Sequence, residues 1–414
     1  MDKKIFGLLG RTLGHSYSPR IHKALGLPNY ELFEIEPSEL ESFLRREDLG
    51  AVNVTIPYKK DACRICDTLT EAAEAIGSVN TVVRCPDGRL LGDNTDAYGF
   101  LYMANRAGIS FENRKVLILG NGGASLTAQY IAKHQGAKEI IVMDRRGENR
   151  YETLHRHFDS EIIINATPVG MYPHNGESLI RLTDFPGVCG VLDMIYNPRR
   201  TALLLEAESL GIPCSDGLPM LVAQAKAAEE RFFQKTISSA VIPEILGALR
   251  RERGNIILIG MPGSGKTTVG KALAKLTERP WIDIDDAVEA EAAMTIPEIF
   301  KTCGEAHFRR LEQKKTAEFG AEGGKVIMTG GGVVKTPENA ASLRQNGRIY
   351  WLQRDVAKLE RKGRPLSIGS DLHAMLKERE PLYEKFCDAI ITNDADAESI
   401  ATQIWRDFCA YSRH

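Results

Sequence analysis

At 414 residues the chain is too long for one hydrophobic core, and at about 100–200 residues per domain it predicts two to four domains, with three the working number. Its 53 Lys and Arg nearly cancel its 55 Asp and Glu, which leaves no electrostatic case for nucleic acid or an acidic membrane surface and points to small-molecule partners. No apolar run approaches the roughly 20 residues of a membrane span, and the stretch from Lys3 reads as a strand rather than a signal peptide, so a cytoplasmic location is expected.

The first segment, Met1–Tyr102, alternates short apolar strands (Lys3–Leu9, Ala51–Ile56, Thr81–Arg84) with amphipathic stretches, an α/β pattern without a glycine fingerprint. Within it, His15-Ser16-Tyr17-Ser18-Pro19 places two hydroxyls on a turn, and Asn53-Val54-Thr55-Ile56-Pro57-Tyr58-Lys59 ends a strand with a lysine. Asn80-Thr81 adds an amide, and Gly92-Asp93-Asn94-Thr95-Asp96 brings a carboxylate. Taken singly, Lys59 reads equally well as a solvated surface lysine and Asp96 as a helix cap. Cys63 and Cys66 form a C-x-x-C, but Lys59–Leu69 looks helical and no second ligand pair is visible. Coincidence is the better reading, with all eight cysteines reduced.

From Lys115 the pattern changes to a buried strand, Lys115–Leu119, a glycine turn, a helix through about Gln135 and a second strand, Glu139–Met143. That is a βαβ nucleotide unit. Its turn, Gly120-Asn121-Gly122-Gly123-Ala124-Ser125, is an imperfect dinucleotide fingerprint, because Ser125 holds the third glycine or alanine position. Asp144, at the end of the second strand, suits the free ribose hydroxyls of NAD, whereas Arg145 and Arg146 suit the phosphate of NADP. Both cofactors stay open on the residues alone. Residues 147–160 have room for one short helix, about Tyr151–Phe158, before strands at Glu161–Asn165 and Val188–Met194. Helices from about Leu218 to Arg250 close this half, and the charged stretch Arg250–Gly254 reads as a tether of about five residues.

A fresh strand, Ile256–Ile259, then runs into Gly260-Met261-Pro262-Gly263-Ser264-Gly265-Lys266-Thr267, a P-loop in the strand–helix context that motif requires. Backbone N–H groups there surround phosphates, Lys266 reaches the β,γ-oxygens, and Thr267 can hold Mg²⁺. Asp283 and Asp285 stand two apart at the end of the apolar stretch Pro280–Ile284, on one face of an expected strand, ahead of a helix at Asp286–Ala293, and taken singly they also read as capping or turn residues before that helix. Gly304-Glu305-x-x-Phe308-Arg309-x-x-Glu312, Gly330-Gly331-Gly332, Arg364-Pro365-Leu366 and Arg379-Glu380-Pro381-Leu382-Tyr383 follow in order.

With these motifs the half Ile256–His414 resembles shikimate kinase. The resemblance implies that Gly263, Ser264, Gly265, Lys266, Thr267 and Thr268 cradle ATP, and that Thr267 and Asp283 hold a hydrated Mg²⁺. Asp285 is then the group that deprotonates the substrate hydroxyl beside Lys266, and Arg309, Gly331 and Arg379 bind the substrate. A planar guanidinium suits a carboxylate. Arg364 resembles the lid arginine over the transferring phosphoryl group, in a lid shorter than many in the family, with Arg361 the candidate to stack on adenine.

The first half, about Lys3–Arg250, is similar to shikimate dehydrogenase. Asn165-Ala166-Thr167-Pro168-x-Gly170-Met171, Asp193-Met194-Ile195-Tyr196-Asn197-Pro198 and Asp216-Gly217-x-x-Met220-Leu221-Val222-x-Gln224 complete its motif set. By that resemblance Lys59 is the acid/base and Asp96 its partner, and Ser16, Ser18, Asn53, Thr55, Asn80, Asp96 and Gln224 hold the substrate's carboxylate and hydroxyls. Gly120 to Ser125 bind the dinucleotide with Asp144 and Arg145, Met194 and Tyr196 lie where nicotinamide meets substrate, and Gly217 admits the cofactor. Pro219 stands where the family often has glycine, and the short 147–160 segment predicts a nucleotide sheet about one strand smaller than usual.

The expected architecture is therefore α/β: a two-domain dehydrogenase (substrate-binding 1–102 plus 218–250, Rossmann-like 103–217) fused to a P-loop kinase with a parallel sheet (254–414). The expected cofactors are NADP, favoured by Arg145, with NAD possible, and ATP with Mg²⁺. The expected substrates are 3-dehydroshikimate and shikimate. Quinate in the first half and a sensor without activity are the rival readings, the second weakened by the presence of Lys59, Asp96, Lys266, Thr267 and Asp285.

Overall fold

The computed structural model describes residues 4–14, 16–146, 149–359 and 371–413. The chain forms two compact units, one of Met1–Val169, Ser178–Tyr196 and Glu206–Leu246, the other of Gly170–Glu177, Asn197–Leu205 and Gly247–His414.

The first unit contains two sheets. Strands β1 (Ile5–Gly10), β2 (Tyr30–Glu34), β3 (Leu49–Val54), β4 (Thr68–Leu69), β5 (Thr81–Arg84) and β6 (Leu90–Asp93) are ordered β2-β1-β3-β5-β6-β4. Only β5 runs antiparallel to its neighbours, β3 and β6. Leu9, Val52, Val54 and Val82 are at most 1% exposed, as expected of strands covered on both faces. Register places Asn53 beside Thr81 and Thr81 beside Asp93, so three strand ends deliver polar side chains to one edge of the sheet.

The second sheet comprises β7 (Lys115–Leu119), β8 (Glu139–Met143), β9 (Ile162–Asn165), β10 (Gly190–Asp193) and β11 (Cys214–Ser215), all parallel in the order β11-β10-β9-β7-β8. Helix Gly123–His134 joins β7 to β8, completing the expected βαβ unit. Between β8 and β9 the chain forms a 3₁₀ segment, Tyr151–His157, and no strand among the described residues. Helices Asp96–Arg106 and Leu218–Phe233 pack together, and Gly99 lets them approach, since a Cβ there would lie 2.5 Å from the Met220 carbonyl oxygen.

The second unit is built on β12 (Asn255–Ile259), β13 (Trp281–Asp283), β14 (Val326–Met328), β15 (Gly347–Gln353) and β16 (Ala389–Thr392), parallel in the order β13-β14-β12-β15-β16. Along β12, Ile257 and Ile259 enter one core while Ile256 and Leu258 enter the other, the period-two alternation of a strand sandwiched between helical layers. Met328 pairs with both Leu258 and Asp283, so the P-loop and the Asp283 region leave the sheet at the same end. No helix among the described residues is long and apolar enough to cross a membrane.

Two local expectations are corrected. The stretch Arg250–Gly254 is not an open tether: helix Val241–Arg253 runs through it, with Gly254 alone before β12. Arg and Glu are good helix formers, and Arg250, Arg251 and Arg253 suit the negative end of the helix dipole. The helices expected from about Leu218 to Arg250 are Leu218–Phe233 and Val241–Arg253. The helix starting at Lys59 ends at Ile65, and Thr68–Leu69 becomes strand β4. Cys63 and Cys66 are free thiols pushed up by burial, Cys66 to about 12, the reverse of a reactive thiolate.

Candidate active sites

In the first unit, Asn53 sits near the end of β3, Thr55 follows it, and Lys59 opens helix Lys59–Ile65. Asp96 opens helix Asp96–Arg106, where a carboxylate is favoured by the helix dipole. Lys59 Nζ lies 2.6 Å from Asp96 Oδ2, with the two side chains 21% and 13% exposed. A half-buried lysine is thereby aimed by a fixed carboxylate while remaining reachable from solvent.

Asn80 organises the floor of this site. Its Oδ1 accepts from the Thr95 backbone N–H at 2.7 Å and from the Thr81 hydroxyl at 3.0 Å, and its Nδ2 donates to Gln224 Oε1 at 3.3 Å. Asn53 Nδ2 donates to Thr81 Oγ1 at 3.1 Å, which ties β3 into the same network. Thr81 and Thr95, which sequence reading did not single out, are the connectors, and only their adjacency to Asn80 and Asp96 hinted at them. Ser16 lies in the loop after β1 while Ser18, expected on the same turn, opens helix Ser18–Leu25, with the Ser18 N–H donating to Ser16 Oγ at 3.2 Å. Tyr17 on that turn packs on Tyr196, ring centroids 5.2 Å apart, and burial pushes the Tyr196 phenol above its usual value. The hydroxyl turn and the Met194–Tyr196 segment therefore meet.

The glycine turn has the form a dinucleotide's pyrophosphate needs. Gly120 has φ +98°, and a Cβ there would lie 2.7 Å from Thr167 Cγ2, while Gly122 and Gly123 face open space at the start of the helix. Ser125 is fully buried and its Oγ accepts from Gln129 Nε2 at 3.0 Å. Its hydroxyl is thus satisfied within the helix, which explains how serine fits this position; Ala124 precedes it in the first turn. Asp144 Oδ2 accepts from Asn121 Nδ2 at 3.2 Å, and that bond holds the Asp144 carboxyl below its usual range. Arg145 beside it is exposed. Gly217 has a nearer demand than a cofactor: a Cβ there would overlap the Met194 carbonyl oxygen.

In the second unit, Gly260, Gly263 and Gly265 carry φ values of +145°, +83° and +91°, which open the P-loop ahead of helix Lys266–Thr277. Lys266 Nζ donates to the carbonyls of Gly260 and Met261 at 2.9 and 3.1 Å, closing the loop on itself. Ser264 is buried with its carbonyl held by Asn393 Nδ2 at 2.6 Å, and Thr268 is exposed on the first helical turn. Thr267 Oγ1 stands 3.2 Å from Asp283 Oδ2, the pair expected around Mg²⁺.

Asp285 is not on a strand as expected. Strand β13 ends at Asp283, whose carboxylate caps helix Ile284–Ala292 by accepting from the Asp285 N–H at 3.1 Å. The two acids still converge. Asp285 Oδ1 is buried without a hydrogen-bond partner, and burial, then Asp283 and Glu312, push the carboxyl up to about 7.

Arg309 Nη1 pairs with Glu312 Oε2 at 2.7 Å, and Arg379 Nη1 donates to the Gly331 carbonyl at 3.0 Å. Glu312 is fully buried; its i,i+3 spacing from Arg309 was the signal for it. Each glycine of the triple makes room for a neighbour: a Cβ on Gly330 would meet Asp285, on Gly331 Pro262, and on Gly332 the Arg309 guanidinium. Lys266, Thr267, Asp283, Asp285, Arg309 and Arg379 line one open cavity of about 520 Å³. Arg361 and Arg364 lie outside the described residues.

Fold and sites define an oxidoreductase of two α/β domains joined to a P-loop phosphotransferase. The family model for the shikimate dehydrogenase substrate binding domain matches residues 8–82, and that for shikimate kinase matches residues 262–408. The shikimate dehydrogenase (NADP(+)) of Caldicellulosiruptor bescii is 37% identical over 283 residues, spanning 61% of this chain and 97% of the relative. A chorismate mutase/shikimate 5-dehydrogenase fusion protein from Clostridium acetobutylicum superposes with TM-score 0.57 at 34% identity, over 60% of this chain and 98% of that one. Shikimate 5-dehydrogenase from Thermus thermophilus, solved in complex with NADP(H) and shikimate, gives TM-score 0.53 at 29% identity, over 58% of this chain and 98% of that one. The chain belongs to the shikimate dehydrogenase family and carries a shikimate kinase domain at its C-terminal end.

Proposed function

We infer that the protein performs two consecutive steps on one ring: NADPH-dependent reduction of 3-dehydroshikimate to shikimate, then ATP-dependent phosphorylation to shikimate 3-phosphate. The first step creates the hydroxyl that the second one phosphorylates. One observation carries the reading: the Lys59–Asp96 ion pair in one half and the buried Asp285 carboxyl, whose Oδ1 has no hydrogen-bond partner, in the other are both groups suited to proton transfer.

In the first site the dinucleotide supplies hydride when bound. Lys59 delivers the proton to the carbonyl oxygen, and Asp96 holds the ammonium in line. Asn53, Asn80 and Gln224, with Ser16, Ser18 and Thr55, would bind the hydroxyls and carboxylate, while Tyr196 and Met194 face the reacting carbon. The relatives' NADP supports the exposed Arg145 as the contact to a 2′-phosphate. Asp144, held ionised by Asn121, favours a second reading in which NAD serves, because a carboxylate accepts from free ribose hydroxyls.

In the second site Asp285 would take the hydroxyl proton as the oxygen bonds to the γ-phosphorus of ATP and the bond from that phosphorus to the β,γ-bridging oxygen breaks, releasing ADP. Lys266, freed from its loop carbonyls, neutralises the phosphate oxygens, and Thr267 and Asp283 would hold a hydrated Mg²⁺. Arg309 and Arg379 bind the substrate carboxylate. Incubating purified protein with 3-dehydroshikimate, ATP, Mg²⁺ and either NADPH or NADH, while following cofactor oxidation and shikimate 3-phosphate, tests the whole reading. Both signals are expected, faster with NADPH. Phosphorylation of added shikimate without oxidation of either cofactor would sink the dehydrogenase half.

A further inference from the structure

Behind the substrate side of the first site lies a buried ionisable pair that the proposed chemistry does not use. His22 and Glu229 are both fully buried, with His22 Nδ1 3.1 Å from Glu229 Oε1. The imidazole lies flat on the Tyr30 ring, centroids 3.8 Å apart and planes 8° off parallel. Tyr30 in turn donates its hydroxyl to Asn53 Oδ1 at 2.8 Å.

The direction of each bond matters. An amide can face either way, and here the Tyr30 hydroxyl, satisfied as a donor, fixes Oδ1 on its own side and turns Nδ2 toward Thr81 and the Asn80 carbonyl. The Nδ2 contact to the Asn80 carbonyl is the longest of the set at 3.3 Å, so it is the one a substrate oxygen can replace. Burying a histidine and a glutamate costs free energy that an apolar pair of similar volume would not. The groups facing His22 are Glu229 and Phe232 from helix Leu218–Phe233, Tyr30 from β2 and the Asn53 side chain from β3, and Lys235 lies 3.8 Å from the far oxygen of Glu229. Burial lowers the affinity of His22 for a second proton, with Glu229 opposing.

The geometry points to His22 and Glu229 as positioning residues that set the orientation of Asn53 through Tyr30, and so the fit of the substrate's ring hydroxyls in the dehydrogenase site. Glu229 fixes the imidazole plane, the imidazole fixes the tyrosine ring by stacking, and the tyrosine hydroxyl fixes the amide. This rests on the dehydrogenase reading given above.

The test is steady-state shikimate oxidation by the full chain in three variants. Tyr30→Phe keeps the stacked ring and removes only the hydroxyl, and is expected to raise KM for shikimate roughly tenfold, with KM for NADP and the kinase rate unchanged. Glu229→Leu is expected to do the same, whereas Glu229→Gln, which keeps an oxygen for Nδ1–H, restores KM to near the wild-type value. If Tyr30→Phe leaves KM for shikimate unchanged, or if Glu229→Leu lowers only the melting temperature, the pair is part of the core and the proposal falls. Wild-type protein that does not oxidise shikimate at all would overturn the dehydrogenase reading, and this one with it.

Discussion

Lys59 and Asp96 are separated by 36 residues of chain that include three strands, yet their charged atoms meet at 2.6 Å. Because the lysine opens one helix and the aspartate another, each is held at its backbone and only the Lys59 side chain has freedom to move. Lys59→Ala is expected to lower the dehydrogenase rate by about 10²–10⁴, the usual range for a lost general acid, with the kinase rate intact. Asp96→Asn keeps an oxygen for the ammonium and is expected to lose less; equal losses in the two variants would assign the charge, not the aim, to Asp96. Asp285 makes a sharper case through pH. Its carboxyl is pushed up to about 7, so the base form fades as pH falls through that value, and kinase kcat/KM is expected to decline on the acid side of about pH 7. The same shift has a sign in stability. The folded state keeps this proton over a range, from 3.8 to about 7, where the unfolded chain releases it, so its contribution is full below 3.8 and is lost as pH rises to about 7. Asp285→Asn carries no such loss. Thermal melts of the two proteins are therefore expected to coincide near pH 4 and to separate toward pH 8 with the variant more stable; a variant less stable at pH 8 contradicts the burial argument.

At the level of elements, the strand–glycine turn–helix units were legible because their demands are local: an apolar run, positive φ at Gly120, Gly260, Gly263 and Gly265, and a helix that begins at once. The helix through Arg253 was not, since a run of charges reads equally as a solvated linker or as a helix whose last turn favours cations. The break at Asp283 was legible only as the capping alternative for the acid pair, while the strand reading missed that this cap carries Asp285 onto a different element. Thr81, Thr95 and Asn393 were invisible for another reason: they act through tertiary hydrogen bonds to Asn53, Asn80 and Ser264 respectively, and no local pattern encodes those partners. The triple glycine was recognised but its cause was not. The glycines are small because Asp285, Pro262 and the Arg309 guanidinium occupy the places their side chains would take. Gly332→Ala is expected to push Arg309 off Glu312 and raise KM for shikimate in the kinase reaction by about tenfold, the scale of one charge-assisted hydrogen bond. KM for ATP should not move, because the P-loop glycines are untouched; a matching rise in KM for ATP would mean that the turn itself had shifted.

For the molecule as a whole, the decisive feature is that each described set of candidate catalytic side chains lies within one compact unit. Lys59, Asp96, Asn80 and Gln224 belong to the first unit, and Lys266, Thr267, Asp283, Asp285, Arg309 and Arg379 to the second. Neither described set draws a residue from the other, so inactivating one should leave the other's chemistry standing. Shikimate, the proposed intermediate, is a small, charged molecule that is well hydrated when free in water. Mixing equal amounts of Lys59→Ala and Lys266→Ala protein is therefore expected to restore formation of shikimate 3-phosphate from 3-dehydroshikimate, NADPH and ATP, after a lag while free shikimate accumulates. Each variant alone should give almost none, and adding shikimate to the Lys59→Ala protein should abolish the lag. If the mixture stays inactive although each variant retains its one remaining activity, free shikimate is not the species passed between the sites, and the two steps require both intact sites on one chain.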